Sequence, residues 1–453
     1  MRIHPISLIT GLIFAMAISS CGEDRTGEYY ALISTKTWMY ETMQENYLFY
    51  DELPAEDGLN FFKKPDIFLQ SVVAPRDQKN GVIFSHIDSV KISRSISDYP
   101  SFGIESVLVR NAAGNNEVHV LLTYDNSPAS DVGIRRGDWI ISANGYKITS
   151  NNYEQYIQHP SRSWTYQIAR KNATGTFDTL SVEMPSPRYV DEPSVYLTKT
   201  IQSGNRKAFY IMYNSFNNEE EDQLKEAFNQ GMTQSPDDII LDLRYNPGGY
   251  VNTALLLGTI LAPDNAMGKN FVNLIPNDKF EQTISYTLDP QLLHGVSHAS
   301  FRNLYIITTE STASASELVI NCLKPYLGDR LIQVGEATFG KNVAQSLFTS
   351  EEHPLLEFWL TTSYIANSEG YYDYYTTGLE PTYTQVENLA GEIGELGTKE
   401  DILLSPILQH MATGNFPEDE TDETVEFSRE SNHGSSVLLN PLARKQKIAR
   451  ITR

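Results

Sequence analysis

Three short stretches in the second half of the chain carry residue types whose spacing could do chemistry. Asp242-Leu243-Arg244-Tyr245-Asn246-Pro247-Gly248-Gly249 runs an apolar strand into an Asn-Pro-Gly-Gly turn. Two successive glycines there allow amide N–H groups to point at one spot and stabilise an oxyanion. Thr309-Glu310-Ser311-Thr312-Ala313-Ser314-Ala315-Ser316-Glu317 is a run of small residues at a strand-to-helix junction. A serine in that run has neighbours small enough to admit a substrate and a helix N-terminus that favours developing negative charge. The third stretch is Gly335-Glu336-Ala337-Thr338-Phe339-Gly340-Lys341-Asn342-Val343-Ala344-Gln345. Taken singly, each has a plainer reading as a helix cap, a tight turn or a solvated lysine.

The elements that must position these stretches read as a βαβ series, which predicts an α/β core. Residues 208–213 and 238–243 read as strands, with an amphipathic helix over 219–232 between them. A helix over 252–261, a strand over 304–308, a helix over 315–323 and a strand over 331–334 follow.

Upstream, residues 102–184 are rich in short strands, among them 104–109 and 117–122. Ser127-Pro128-Ala129-Ser130-Asp131-Val132-Gly133-Ile134-Arg135-Arg136-Gly137-Asp138-Trp139-Ile140-Ile141-Ser142-Ala143-Asn144-Gly145 resembles a PDZ domain. Gly137-Asp138 and Asn144-Gly145 are turn pairs flanking an apolar strand, which agrees with that reading. The resemblance implies capture of an extended C-terminal peptide as an added strand, with backbone amides holding its carboxylate. Phe102-Gly103-Ile104 is the candidate capture loop, since glycine lets backbone approach a ligand closely.

In this order and context the motifs resemble those of the C-terminal processing peptidases, or tail-specific proteases, over roughly residues 102–385. The resemblance implies a crotonase-like (ClpP/crotonase-type) sheet-and-helix core with a Ser-Lys catalytic pair. Carried over by motif, the nucleophile is Ser314, the general base is Lys341, and the glutamine that orients the lysine is Gln345. Oxyanion donors would be the backbone N–H groups of Gly248 or Gly249 and of Ala315. A lysine can deprotonate serine only when neutral, so its pKa must fall from about 10.4 toward neutrality by burial, and Phe339 and Val343 are suitable apolar flanks. Three features depart from the family pattern: Asn342 stands where a glycine is usual, Thr312 replaces a serine, and the stretch between Ser314 and Lys341 is longer. Ser316 would restore the usual spacing as nucleophile, but the Ala-Ser-Ala-Ser-Glu register selects Ser314. Lys324-Pro325 occupy the region where some relatives carry an aspartate, so no acidic partner is assigned. The alternative function is a catalytically silent peptide-binding lipoprotein of the same fold.

Composition excludes several other classes. The chain has 453 residues, 40% hydrophobic and 20% charged, with a formal net charge of −22. That fits about three folded domains and makes nucleic acid an improbable partner for such an acidic surface. With 2 cysteines there is no thiolate zinc or iron–sulfur set, His294 and His298 lack a His-Glu-x-x-His context, and no phosphate loop is present. No metal or other cofactor is expected.

At the N-terminus, Arg2 and His4 precede an apolar stretch, Ile6 to Ile18, that suits an export signal. It ends Ala17-Ile18-Ser19-Ser20-Cys21, which resembles a bacterial lipobox, with Cys21 acylated as the mature N-terminus. Such acyl chains would anchor the chain to a membrane of the cell envelope. The acidic Gly22-Glu23-Asp24 that follows is similar to signals directing lipoproteins to the outer membrane, at its periplasmic face or the cell surface. The expected organisation is a signal over 1–20, a small helical N-terminal domain over 21–98, a PDZ-like β-rich domain over 99–187, the peptidase core over 188–414 and a solvated charged tail over 415–453. Aromatic residues at spacings of three and four between 29 and 50 read as packing of the helical domain.

Overall fold

The computed structural model describes residues 26–89, 99–418, 435–441 and 449–451. The export stretch and Cys21 lie outside the described residues. Among the described residues no helix is long and apolar enough to cross a membrane.

The N-terminal segment holds helix α1 (Thr26–Asn46), short helix α2 (Pro65–Gln70) and strand β1 (His86–Ser89). Its apolar face is not buried within the segment alone. Met39, Tyr47, Phe68 and Phe84 instead close a core with Phe339, Val343, Phe358 and Leu360 of the following α/β region. One long helix with one short partner cannot bury its apolar face alone, so it borrows the rest from a neighbour.

Strands β2 (Ile104–Arg110), β3 (Asn116–Thr123), β4 (Trp139–Ala143), β5 (Thr165–Lys171) and β6 (Phe177–Glu183) form an antiparallel sheet in chain order. A four-residue helix, α3 (Pro128–Asp131), is capped by Ser127, whose Oγ accepts from Ser130 N–H at 3.1 Å. Leu108, Val118, Val120, Ile140, Tyr166 and Ile168 fill its core.

The α/β region begins with strands β7 (Val195–Ser203) and β8 (Arg206–Tyr213), helix α4 (Glu221–Met232) and strand β9 (Asp238–Asp242). Strand β10 (Gly249–Tyr250), helix α5 (Val251–Leu261), strands β11 (Asn270–Pro276), β12 (Ile284–Thr287) and β13 (Leu304–Thr308), and helix α6 (Ala315–Leu327) follow. Strands β14 (Leu331–Gly335), β15 (Val343–Ser350), β16 (His353–Asn367) and β17 (Tyr383–Thr384) and helix α7 (Ser405–Thr413) complete it. One sheet has the order β7-β8-β9-β13-β14-β17 and is parallel from β8 onward. Its central strands are buried on both faces: Ile239 and Leu241 feed one core with α4, α5 and α6, while Ile240 feeds another with Val107, Leu121 and α7. That two-sided burial explains why β9 reads as a continuous apolar run rather than an alternating one.

The charged tail departs from expectation, because it contributes two strands instead of staying wholly in solvent. Strand β18 (Ser436–Leu439) pairs antiparallel with the outer edge of β2. Strand β19 (Ala449–Ile451) runs parallel between β10 and β15, completing a sheet of order β10-β19-β15-β16-β11-β12, with β1 on β16. The physical reason is an unfilled strand edge: main-chain groups on β2, β10 and β15 gain partners from whichever extended segment arrives.

Candidate active site

At the end of buried β9 the chain turns on residues 243–249. Asn246 fixes that turn from both ends of its amide, donating Nδ2 to Tyr213 O at 2.7 Å and accepting Gly248 N–H on Oδ1 at 2.9 Å. Gly249 has φ +145°, and a Cβ there would lie 2.3 Å from Phe216 O, so the position requires glycine. Gly248 N–H is spent on Asn246, which leaves Gly249 and Ala315 as the oxyanion candidates.

The small-residue run is laced onto this turn by side chains only small polar residues could supply. Thr312 Oγ1 donates to Leu243 O at 2.8 Å, Thr309 Oγ1 to Arg244 O, and Ser316 Oγ to Asn246 O at 3.2 Å. Ala313 N–H donates to Asn246 O at 3.1 Å. Ser314 then adopts φ +61° and ψ −113°, a conformation that costs a non-glycine residue about 1–3 kcal/mol. Ser314 Oγ is buried and has no hydrogen-bond partner among the described residues. Helix α6 begins at the next residue, so Ala315 N–H has no acceptor one turn earlier in its own helix.

The third stretch folds back over the second through Phe339 N–H, which donates to Thr312 O at 2.9 Å. The decisive joint is Glu317, a fully buried carboxylate in the first turn of α6. Its Oε2 accepts the main-chain N–H of Ser314 at 2.7 Å and of Lys341 at 2.8 Å. Its Oε1 accepts Gly340 N–H at 2.5 Å and Thr338 Oγ1 at 2.6 Å. Burial pushes the Glu317 carboxyl up, and these four donors oppose that shift.

Lys341 is fully buried, with Nζ 5.1 Å from the centre of the Phe84 ring. Phe84 in turn meets Phe339 edge-on at 6.3 Å. Gln345 is buried on β15, and its Nε2 donates to Thr361 Oγ1 at 3.3 Å. Thr361 Oγ1 donates onward to Asp77 Oδ1 at 2.5 Å, and Tyr47 Oη donates to Asp77 Oδ2 at 3.0 Å. Asp77 is an acid that sequence reasoning missed. Burial raises its carboxyl to about 6, against hydrogen bonds from Ser85, Thr361 and Tyr47 and the attraction of Lys341. It comes from the N-terminal segment, whose aromatic spacing signalled packing and nothing else.

A second buried cluster braces the turn at residues 243–249. Arg244 is fully buried, with ion pairs to Asp242 at 2.7 Å, Glu387 at 2.9 Å and Asp401 at 2.7 Å. Arg136 of the β-rich domain reaches Glu387 at 2.5 Å and Tyr245 Oη at 3.1 Å. Burial alone would push the Glu387 carboxyl up, but Arg136 and Arg244 bring it below its ordinary value.

The candidate capture loop is placed differently from a loop with free amides. Phe102 is buried in the domain core, its carbonyl accepts Ala129 N–H, and Gly103 N–H donates to Ser101 Oγ at 3.1 Å. Ile104 opens β2, whose outer edge holds β18.

Comparison with known proteins decides the family. Residues 207–385 match the profile of Peptidase family S41, and residues 34–86 match the Peptidase S41 N-terminal domain. The crystal structure of a protein assigned as an S41 protease in Bacteroides fragilis NCTC 9343 is 30% identical in sequence. The match covers 83% of this chain and 97% of that one, with a TM-score of 0.73. The chain belongs to peptidase family S41. Proteins assigned as CtpA-like serine proteases are further relatives: one from Staphylococcus aureus (strain COL) is 27% identical over 254 residues, 54% of this chain and 47% of that protein. Another, from Staphylococcus saprophyticus, is 24% identical over 253 residues with the same coverage. The chain thus spans about half the length of these relatives. The S41 N-terminal match coincides with the segment that brings Asp77 and Phe84 to Lys341.

Proposed function

We propose that this chain is a serine endopeptidase that takes exposed protein C-termini through its PDZ-like domain and cleaves near them. The observation that carries the reading is the shared carboxylate of Glu317, which binds the main-chain N–H groups of Ser314 and Lys341 at once. A strained serine at a helix N-terminus, its backbone tied through one carboxylate to that of a fully buried lysine, suits nucleophilic catalysis without histidine.

In this mechanism neutral Lys341 removes the Ser314 hydroxyl proton as Oγ attacks the scissile carbonyl. Desolvation by Phe84 and Phe339 favours the neutral amine. The tetrahedral oxyanion is held by Gly249 and Ala315 N–H groups, the latter at the positive end of α6. Lys341, now protonated, gives its proton to the departing amine, leaving an acyl-enzyme on Ser314. Water, deprotonated by the same lysine, releases the acid product and restores both groups. Gln345 is a positioning residue for Lys341. The mature chain would be held in the bacterial cell envelope, at the outer membrane, by acyl groups on Cys21.

The test is proteolysis of unstructured reporter proteins with apolar or charged C-termini, comparing wild type with Ser314→Ala and Lys341→Ala by mass spectrometry. Cleavage by wild type alone, dependent on the reporter's last residues, is the expected result. Cleavage by the Ser314→Ala chain would remove Ser314 as nucleophile. C-terminal peptide binding with no cleavage by wild type would favour a silent binding protein.

A further inference from the structure

The strand slot between β10 and β15 has the proposed catalytic groups on its two walls. One wall is Gly249–Tyr250, the other begins two residues after Lys341 and carries Gln345. What fills it is the chain's own segment: Ala449 registers with Gly249, Arg450 with both Tyr250 and Gln345, and Ile451 with Ser346. Among the described residues β19 is the strand that joins β10 to the rest of its sheet.

The same tail also occupies the outer edge of β2. Ser436, Val437 and Leu439 register with Arg110, Val109 and Leu108 on β2, antiparallel. Leu438 and Leu439 pack against the domain core. Between the two sites Val437 and Leu438 help to wall a cavity of about 440 Å³ shared with Glu310, Ser311 and Glu336. By sequence, residues 441–453 carry Arg444, Lys445, Lys447, Arg450 and Arg453 and no acid, in a chain of net charge −22.

We propose that the slot between β10 and β15 is where an extended substrate segment pairs by strand addition, and that strand β19, with β18 on the β-rich domain, is its built-in competitor. Strand addition supplies main-chain hydrogen bonds to any sequence, so an unstructured polypeptide and the tail are interchangeable ligands of the slot. The tail visits the β-rich domain first and the slot second along the chain. A substrate whose terminus the β-rich domain delivers would run the other way, so the tail blocks the slot without lying in the register for delivery and cleavage. This inference rests on the serine-peptidase reading for its effect on rate, but not for binding.

The experiment uses the full chain. Val437→Pro/Arg450→Pro removes a ladder N–H at each strand. A tethered ligand acts at an effective concentration in the millimolar range, so releasing one of about 100 μM affinity should raise kcat/KM on a reporter about tenfold. In parallel, a fluorescein-labelled peptide of residues 436–453 is titrated into Ser314→Ala and into Ser314→Ala carrying both prolines. Binding at least tenfold tighter to the proline-bearing chain is expected. The unlabelled peptide added to unmodified wild type should raise KM with kcat unchanged, a measurement that does not depend on the proline chain folding. Reporter cleavage at an unaltered rate by the proline chain, with no inhibition of wild type by the peptide, would overturn the tail proposal and leave the peptidase intact. Tighter peptide binding in a chain that cleaves no reporter would uphold the tail site while removing the peptidase reading.

Discussion

Ser314 and Lys341 give their main-chain N–H groups to one oxygen, Glu317 Oε2, at 2.7 and 2.8 Å. Their backbones can therefore be no farther apart than those two bonds allow, although 26 residues of helix, strand and turn separate them in sequence. Glu317→Gln keeps the volume but exchanges an oxygen for an amide that cannot accept. At least one buried N–H then loses its partner, at about 1–3 kcal/mol. The expected result is a lowered Tm together with a kcat loss on the order of 100-fold, since displacements near 1 Å cost that much. KM should change little, and a Glu317→Gln chain with wild-type kcat would show that the carboxylate does not set the geometry.

Asp77 predicts a dependence on pH. Its carboxyl moves from an ordinary 3.8 to about 6, chiefly through burial. The folded chain therefore holds that proton more tightly than the unfolded chain does. Stability from this group is complete below pH 3.8 and is lost as the pH rises through about 6. Asp77→Asn should remove that component, so the difference in Tm between wild type and variant should change across this window. Above pH 6 the ionised aspartate favours an ammonium on Lys341. Its removal should shift the acidic limb of the kcat/KM profile to lower pH, a change that mere loosening of the fold would not produce.

The α/β order, the helix at residue 315 and the glycine turn were legible because each rests on local signals: apolar runs, small-residue junctions and turn pairs. The proximity of the three motifs was legible only through their resemblance to a family. Asp77, Phe84 and Thr361 were not, because their roles arise from a packed interface between distant segments, and aromatic spacing reports that a face is buried, not against what. Glu317 was visible as the end of a motif, yet its four donors come from loop residues whose convergence sequence does not display. The tail strands were missed because charge runs dominate the composition of that segment, while strand addition depends on open edges elsewhere.

Arg136 and Glu387 couple the β-rich domain to the turn at residues 243–249, since Glu387 also receives Arg244 and Tyr245. All four are buried or nearly so, and removing one partner of such a pair leaves an uncompensated charge, at about 3–5 kcal/mol. Arg136→Met and Glu387→Gln should each lower stability by that order. Together they should cost less than the sum of the two, with a coupling of about 1–3 kcal/mol in a double-mutant cycle read by denaturant unfolding. Strict additivity would show that the ion pair does not join the two parts.

Gly249 tests the turn itself. Tyr250 N–H donates to Phe216 O at 2.7 Å, and Phe216 N–H donates to Gly248 O at 3.0 Å, which clamps the two glycines against Phe216. A methyl at 249 would lie 2.3 Å from Phe216 O and 2.7 Å from its carbonyl carbon, so backbone rather than a yielding side chain must move. The φ of +145° adds strain for alanine whatever space is made. Gly249→Ala should therefore displace its N–H and, on the proposed oxyanion role, lower kcat by about 100- to 1,000-fold, the usual effect of losing an oxyanion donor. Circular dichroism melts should show a lowered Tm with the fold retained, because the clamp lies at a sheet edge and not in the parallel core. A Gly249→Ala chain that cleaves reporters at the wild-type rate would pass the oxyanion role to Ala315 and another donor.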